Sequence, residues 1–388
     1  MNRVPGDPEH ARRVNRALIL DQLRRDDLIS RAQISRRLGL SKMTVSAIVS
    51  DLLEAKLVTE YGQGLSAEIG GRKPILLTLD SESQFVIGID IGTTNTVVAA
   101  SNLKGKIIVQ RRVPTVADRS VGRVIEQVAE LVGIIRADIG SQGRTVLGIG
   151  LSIAGLVSRQ QGVIALSPDF DWKDVPIGRL LSDAVGLRVI VDNCTRCMAR
   201  GERWYGAATG ARNLFFINVG HGIGSAMIIN GEIYDHNSEF GHLFITKSEV
   251  RCDCGNYGCL EAVASGQAIE RQGSKLLGRA AGQLSARDLA EMARSGNAIA
   301  RKVYAEAGRY LGRATSLAVN LFSPEKVIIG GGVAEAGELL LESVRNEFSA
   351  HVMPVIRDTV SIELSSLHMD AGVVGAVALA LNEFVFSE

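Results

Sequence analysis

At 388 residues the chain is long enough for two or three domains with ample core. Hydrophobic residues make up 46%, charged residues 22%, and the net charge is +1. No apolar run is expected to reach membrane-spanning length, and MNRVPGDPEHARRVNR lacks a signal-peptide stretch. Five cysteines, three of them clustered, fit a reducing compartment better than a disulfide framework. The expectation is a soluble cytosolic protein without a membrane partner.

The near-neutral total hides an asymmetry. Residues 1–80 carry 13 Lys/Arg and 10 Asp/Glu, whereas the remainder has a small acidic excess. A basic end points to a polyanion. After a tail over 1–12, residues 13–80 read as a winged helix-turn-helix, mostly α. VNRALILDQLRR has one apolar helical stripe. Ser30 can cap a short helix that Gly39 ends, and Ser41 can cap the next, with Val45, Ile48, Val49 and Leu52 facing inward. The second helix of such a pair enters the major groove by its N-terminal residues. Ser41, Lys42, Thr44 and Ser46 are the DNA-contact candidates, with Met43 and Ala47 also exposed there. LVTEYGQG and PILLTLD read as wing strands. Between them, Arg72 and Lys73 sit on a basic tip suited to an A·T-rich minor groove. A plain three-helix domain with a solvated loop is the competing reading.

After Ser81, β-branched strands alternate with Gly turns. Asp90-Ile-Gly92-Thr93-Thr94 resembles the first phosphate loop of the actin/hexokinase/Hsp70-like ATPase superfamily. Glycines there allow close approach to phosphate, and Asp90 could orient a metal-bound water. A second Gly-rich turn holds Gly220 and Gly222 after NLFFIN, and a third holds Gly331 after KVIIG.

His242 is followed by Cys252, Cys254 and Cys259 with Gly255 and Gly258 interleaved. Three thiolates and one imidazole complete a tetrahedral zinc set, which makes the metal structural, one ion per chain. Scattered core cysteines or a disulfide are the alternative.

GHLFITKSEVRCDCGNYGCLEAVAS, together with the three loops, resembles the ROK family of repressors, open reading frames and kinases. The resemblance covers about 300 residues. It implies two α/β lobes around a cleft, lobe I over 81–195 completed by a helix in 371–388, and lobe II over 196–370 with the zinc site and a dimerisation surface. It also implies a sugar site. Glu239 and His242 match a Glu-x-Gly-His whose side chains bond sugar hydroxyls, His242 using one nitrogen for zinc. Glu261 matches the family's other acidic sugar contact, Asn193 a kept Asn, and Asp169 replaces an Asn of the sugar kinases.

One departure decides the reading of the large domain. ROK kinases read Glu-Asn-Asp-Ala-Asn where this chain reads Asp192-Asn193-Cys194-Thr195-Arg196. The general-base Asp is therefore a Cys, mostly protonated at an ordinary pKa of about 8.5, and losing a base costs ~10²–10⁴-fold. His221 stands where kinases carry a small Thr. Sugar binding is expected to persist with the phosphate loops vestigial and ATP not used. Cys194 and Cys197 also form a C-x-x-C, read here as pocket lining rather than a redox pair. The whole resembles the family's xylose- and N-acetylglucosamine-type repressors. It implies a homodimer, or a dimer of dimers, on a palindromic A/T-rich operator at the nucleoid, released by a monosaccharide. A kinase with an added DNA-binding head and a constitutive DNA-binding protein are the alternatives.

Overall fold

The computed structural model describes residues 7–63, 73–140, 144–236 and 238–387. The chain divides into two compact units, Met1–Asp192 with Ala376–Glu388, and Asn193–Gly375. These junctions lie a few residues from those expected at 195/196 and 370/371. Asn193 already caps the first helix of the second unit, and Gly375 lies against the carbonyl of Cys197, where a Cβ would approach to 2.0 Å. The head belongs to the first unit instead of standing apart.

In the first unit, α1 (Pro8–Arg25) starts inside the expected tail because Asp7 accepts from the Glu9 N–H and Pro8 fills the first turn. It buries Ile19, Leu20 and Leu23. After β1 (Ile29–Ser30), α2 (Arg31–Leu38) opens on a capping box between Ser30 and Gln33 and closes on Gly39 at φ 67°. In α3 (Lys42–Glu54) the Ser41 hydroxyl accepts from the Thr44 N–H at 3.0 Å, and Val45, Ile48, Val49 and Leu52 are buried. The wing strands β2 (Val58–Gln63) and β3 (Ile75–Leu79) pair antiparallel, and β1 adds to the other edge of β3. That third strand is too short to carry a sequence period.

The rest of this unit is a five-stranded sheet in the order β11-β7-β4-β5-β6. It is built from β4 (Gln84–Ile91), β5 (Asn95–Asn102), β6 (Ile107–Pro114), β7 (Thr145–Ile153) and β11 (Val189–Asn193). α4 (Val121–Gly140) and α5 (Ile177–Val185) pack with it in one core, and β8 (Leu156–Ser158), β9 (Val163–Ser167) and β10 (Trp172–Val175) form a small meander.

The second unit starts with α6 (Cys194–Tyr205) and then β12 (Leu214–Val219), β13 (Ile223–Ile229) and β14 (Glu232–Ile233). Four helices follow, α7 (Leu260–Ala264), α8 (Gly266–Leu276), α9 (Ala286–Arg294) and α10 (Ala298–Phe322). The unit continues through β15 (Lys326–Gly330), α11 (Glu338–His351), α12 (Pro354–Arg357) and β16 (Ser361–Leu364). Its sheet runs β14-β13-β12-β15-β16. Gly308 and Gly312 let α10 meet α11 backbone to backbone, since a Cβ at Gly312 would stand 2.4 Å from the Val344 carbonyl oxygen.

The last helix, α13 (Ala371–Leu381), begins in the second unit and ends in the first. Contrary to the sequence expectation, the stretch His368–Phe386 is long and apolar enough to cross a membrane by length and composition. It is 67% buried inside the protein, as core helices are. After α13, Phe384 fills the space left by Gly148, and Val385 and Phe386 are buried beside α1. Arg16 of α1 donates to the Val385 carbonyl at 3.5 Å, and the Arg24 guanidinium lies 6.0 Å from the Phe386 ring centre. Two further links tie head to sheet, Gln84 to the Ala55 carbonyl at 2.7 Å and Lys104 to Asp27 at 2.6 Å.

Candidate functional site

In the second unit the segment from β13 to α7 folds back on itself. Gly255 and Gly258 adopt φ of 92° and 76°, conformations that a side chain would strain. At Gly258 a Cβ would also strike the Thr246 carbonyl at 2.2 Å. Backbone bonds from Cys252 to Asn256 and from Leu260 to Leu243 close the loop around the sulfurs. The donor atoms of His242, Cys252, Cys254 and Cys259 then lie within 4.8 Å of one another, a group that could hold a metal ion. Cys252 Sγ is 3.6 Å from His242 Nδ1, and Cys254 Sγ is 3.7 Å from Cys259 Sγ. The latter is far beyond a disulfide bond of about 2.05 Å. Burial pushes the Cys259 thiol up to about 12 and raises Cys252, whereas a backbone hydrogen bond at Asn256 lowers Cys254. A divalent cation would resolve this crowding by binding the thiolate forms.

His242 faces two ways. Its Nδ1 points to the sulfurs, and its Nε2 lies 3.8 Å from Glu239 Oε2. Glu239 is exposed at the start of a short 3-10 turn, Phe240–His242. Glu261, at the start of α7, accepts the Ile223 N–H at 2.8 Å through Oε2 and has Oε1 3.9 Å from Cys252 Sγ. Gly222 makes this possible, because a Cβ there would meet Glu261 Oε2 at 2.3 Å. The second Gly-rich turn is thus packed against the acid and the metal group. Gly220 and Gly331 complete the local frame. Gly220 accepts from the Gly266 N–H, and Gly331, at φ 89°, fits against Asn218 and Val219. His221 projects outward and hydrogen-bonds Gln267.

Asn193 serves the backbone first. Its Oδ1 accepts from the N–H groups of Thr195 (2.9 Å) and Arg196 (3.3 Å), which fixes the start of the following helix. Cys194 follows at the first position of α6, half-buried, with Sγ 3.9 Å from Thr195 Oγ1. A Cβ at Gly224 would meet that Thr195 hydroxyl at 2.6 Å, which seats the start of α6 on β13. Asn193, Glu239, His242 and Glu261 therefore share one unit, whereas Asp169 belongs to the other and is exposed in the turn Pro168–Phe170.

In that first unit Asp90 is the last residue but one of β4. Burial raises its pKa to about 6 against the opposing hydrogen bond from Ser152 Oγ at 2.6 Å. Gly92, Thr93 and Thr94 form the turn into β5, with the Gly92 N–H on the Asn95 carbonyl at 3.0 Å. Sequence reasoning missed Arg119. Held at φ 49°, it donates to the carbonyls of Thr93 (2.9 Å) and Asp169 (3.0 Å), joining the first loop to the 168–170 turn. No local pattern announces a partner 26 or 50 residues away.

On the head, Lys42 and Ser46 are exposed on α3 and Lys73 is exposed before β3, while Arg72 lies outside the described residues. Ser41 and Thr44 spend their hydroxyls on each other at 2.8 Å as well as on the cap.

Residues 86–383 match the model of the ROK family. The chain belongs to the ROK family. Residues 14–59 match winged helix-turn-helix DNA-binding domains. A xylose repressor of Caldicellulosiruptor bescii is 29% identical over 96% of this chain and 97% of its own. A solved ROK family transcriptional regulator, described as a homologue of the E. coli MLC protein, superposes with TM-score 0.85 at 25% identity, covering 97% of this chain and 98% of that one. A glucokinase of Thermotoga maritima is 31% identical over 76% of this chain and 96% of its own. Kinase and regulator thus share the ROK domain, and the regulators extend over the head as well.

Proposed function

We propose that the protein is a sugar-responsive transcriptional repressor acting in the bacterial cytosol, with its winged head on operator DNA and a monosaccharide as effector. The observation that carries this reading is coverage. The xylose repressor aligns over 96% of the chain, head included, while the glucokinase aligns over 76%. Lys42, Thr44, Ser46 and Lys73 contact the duplex, with Arg72 a further candidate by sequence and Ser41 fixing the helix start. The effector is held by Glu239, His242 and Glu261, with Asn193 as a further contact in the same unit. These side chains supply the mixed donors and acceptors that a polyol needs.

The metal is zinc, one per chain, on His242, Cys252, Cys254 and Cys259. Zn–S of about 2.3 Å and Zn–N of about 2.05 Å in a tetrahedron place ligand atoms about 3.8 Å (S–S) and about 3.6 Å (S–N) apart. The pairs at 3.7 and 3.6 Å fit. Zinc there supplies a rigid cross-link and no open coordination position. What this chain's residues do around it is hold the His242 ring, with Nε2 turned toward Glu239, and keep Glu261 beside the loop.

A homodimer would present two heads to a palindrome. What supports it is an apolar face on the second unit, where Leu321 (75% exposed), Val355 (71%) and Met353 (56%) lie near the bond from the Met353 N–H to Asn320. Phosphoryl transfer is not this chain's activity in this reading, since Cys194 is the residue at the general-base position and His221 stands where the kinases carry a small Thr. ADP release with candidate pentoses and hexoses should stay at background. Turnover of ~1 s⁻¹ or more would reinstate the kinase reading.

A further inference from the structure

The exposed face of α3 carries an unusual set of side chains for a helix that reads DNA. Its outward residues are Lys42, Met43, Ser46, Ala47 and Ser50, followed toward its C-terminal end by Asp51 and Glu54. Apart from Lys42, placed on phosphate, it carries none of the bidentate readers of guanine and adenine, since Arg, Asn and Gln are absent from it. The Thr44 hydroxyl is bonded to Ser41, and the Ser50 hydroxyl is turned onto the Ser46 carbonyl at 2.9 Å. Met43 is 85% exposed, more than any other large apolar side chain among the described residues, while Val45, next but one, is fully buried. Met43 and Ala47 are four apart, so they lie on one stripe of the helix.

A folded domain gains nothing from holding a methionine in water. The partner that fits an apolar stripe in the major groove is the thymine C5-methyl, the one apolar group a base edge presents there. We infer that Met43, with Ala47 beside it, reads thymine methyl groups, so that the recognition helix selects A·T pairs by apolar contact rather than by hydrogen bonds. The inference rests on the DNA-binding reading of the head and names the base-edge chemistry that reading leaves open. Lys42, at the start of the same face, supplies charge to phosphate and no base preference.

Deoxyuridine separates this from every other source of A·T preference, because it pairs as thymine does and lacks only the methyl. The full-length protein would first enrich duplexes from a random-sequence pool. Each thymine of the enriched site is then replaced singly by deoxyuridine, and affinities are measured for the unmodified protein, Met43→Ala and Met43→Gln. At one or two positions the replacement should weaken the unmodified protein about fourfold, the worth of one buried methyl-sized group. Met43→Ala should lose that discrimination while keeping its dependence on salt. Met43→Gln should move the preference at that position toward adenine. The inference is overturned if deoxyuridine is tolerated at every position, or if Met43→Ala discriminates as the unmodified protein does. If no duplex is enriched at all, it is the DNA-binding reading of the head that fails.

Discussion

Cys254 is the most exposed of the three sulfur ligands, and its thiol is lowered where its neighbours are raised. Without it, Cys252 and Cys259 remain buried with one His, too few ligands for a closed site. Cys254→Ser should release the metal and lower the unfolding midpoint, measured by elemental analysis and thermal denaturation. A variant that stays metal-loaded and equally stable would dissociate this cysteine from the site. Asp90 offers a test with a definite sign. Its folded pKa, about 6, lies above the ordinary 3.8, so the proton is bound more tightly in the native state. Stability from this group is therefore full below pH 3.8 and is lost as pH rises toward 6. Asp90→Asn, which keeps an acceptor for Ser152, should be more stable than the unmodified protein at pH 7 by on the order of 1–2 kcal/mol after allowing for solvent screening. The gain should vanish near pH 4. A constant difference across that range would mean the carboxyl is not the cause.

Helix ends were the most legible elements. Ser30, Gly39 and Ser41 are local signals acting within three or four residues, and each does in the fold what its position implies. The metal group was legible for the same reason, because Cys252 to Cys259 and two glycines fit in one loop. Arg119, the bond from the Ile223 N–H to Glu261, and the seat of Phe384 on Gly148 were not. They depend on distances in sequence that periodicity does not reach. The apolar length of the stretch ending in Phe386 was missed as well, and composition by itself does not separate a core helix from a membrane span. Its end carries a consequence for the head. Phe386 is 7% exposed and faces Arg24 of α1. Phe386→Ala should loosen the head, costing about 3 kcal/mol of unfolding free energy, and limited proteolysis should cut near α1 sooner. Unchanged protection would show that the C-terminal segment does not brace the head.

At the scale of the whole molecule, a repressor needs its effector to prefer the form that leaves DNA, since equal affinity for both forms shifts nothing. Glu239, exposed, outside the head and not itself one of the four metal ligands, should matter to the sugar response and leave DNA binding in place. The most direct measurement is the anisotropy of a labelled duplex, enriched by the full-length protein, titrated with xylose, glucose and N-acetylglucosamine. At least one sugar should release the unmodified protein, and a hundredfold loss of affinity requires about 2.8 kcal/mol of preference. Glu239→Ala should bind the same duplex with normal affinity and stay bound when that sugar is added. If no monosaccharide moves the unmodified protein off the duplex, or if Glu239→Ala is released at the same sugar concentration, the account of a sugar-responsive repressor with this pocket is wrong.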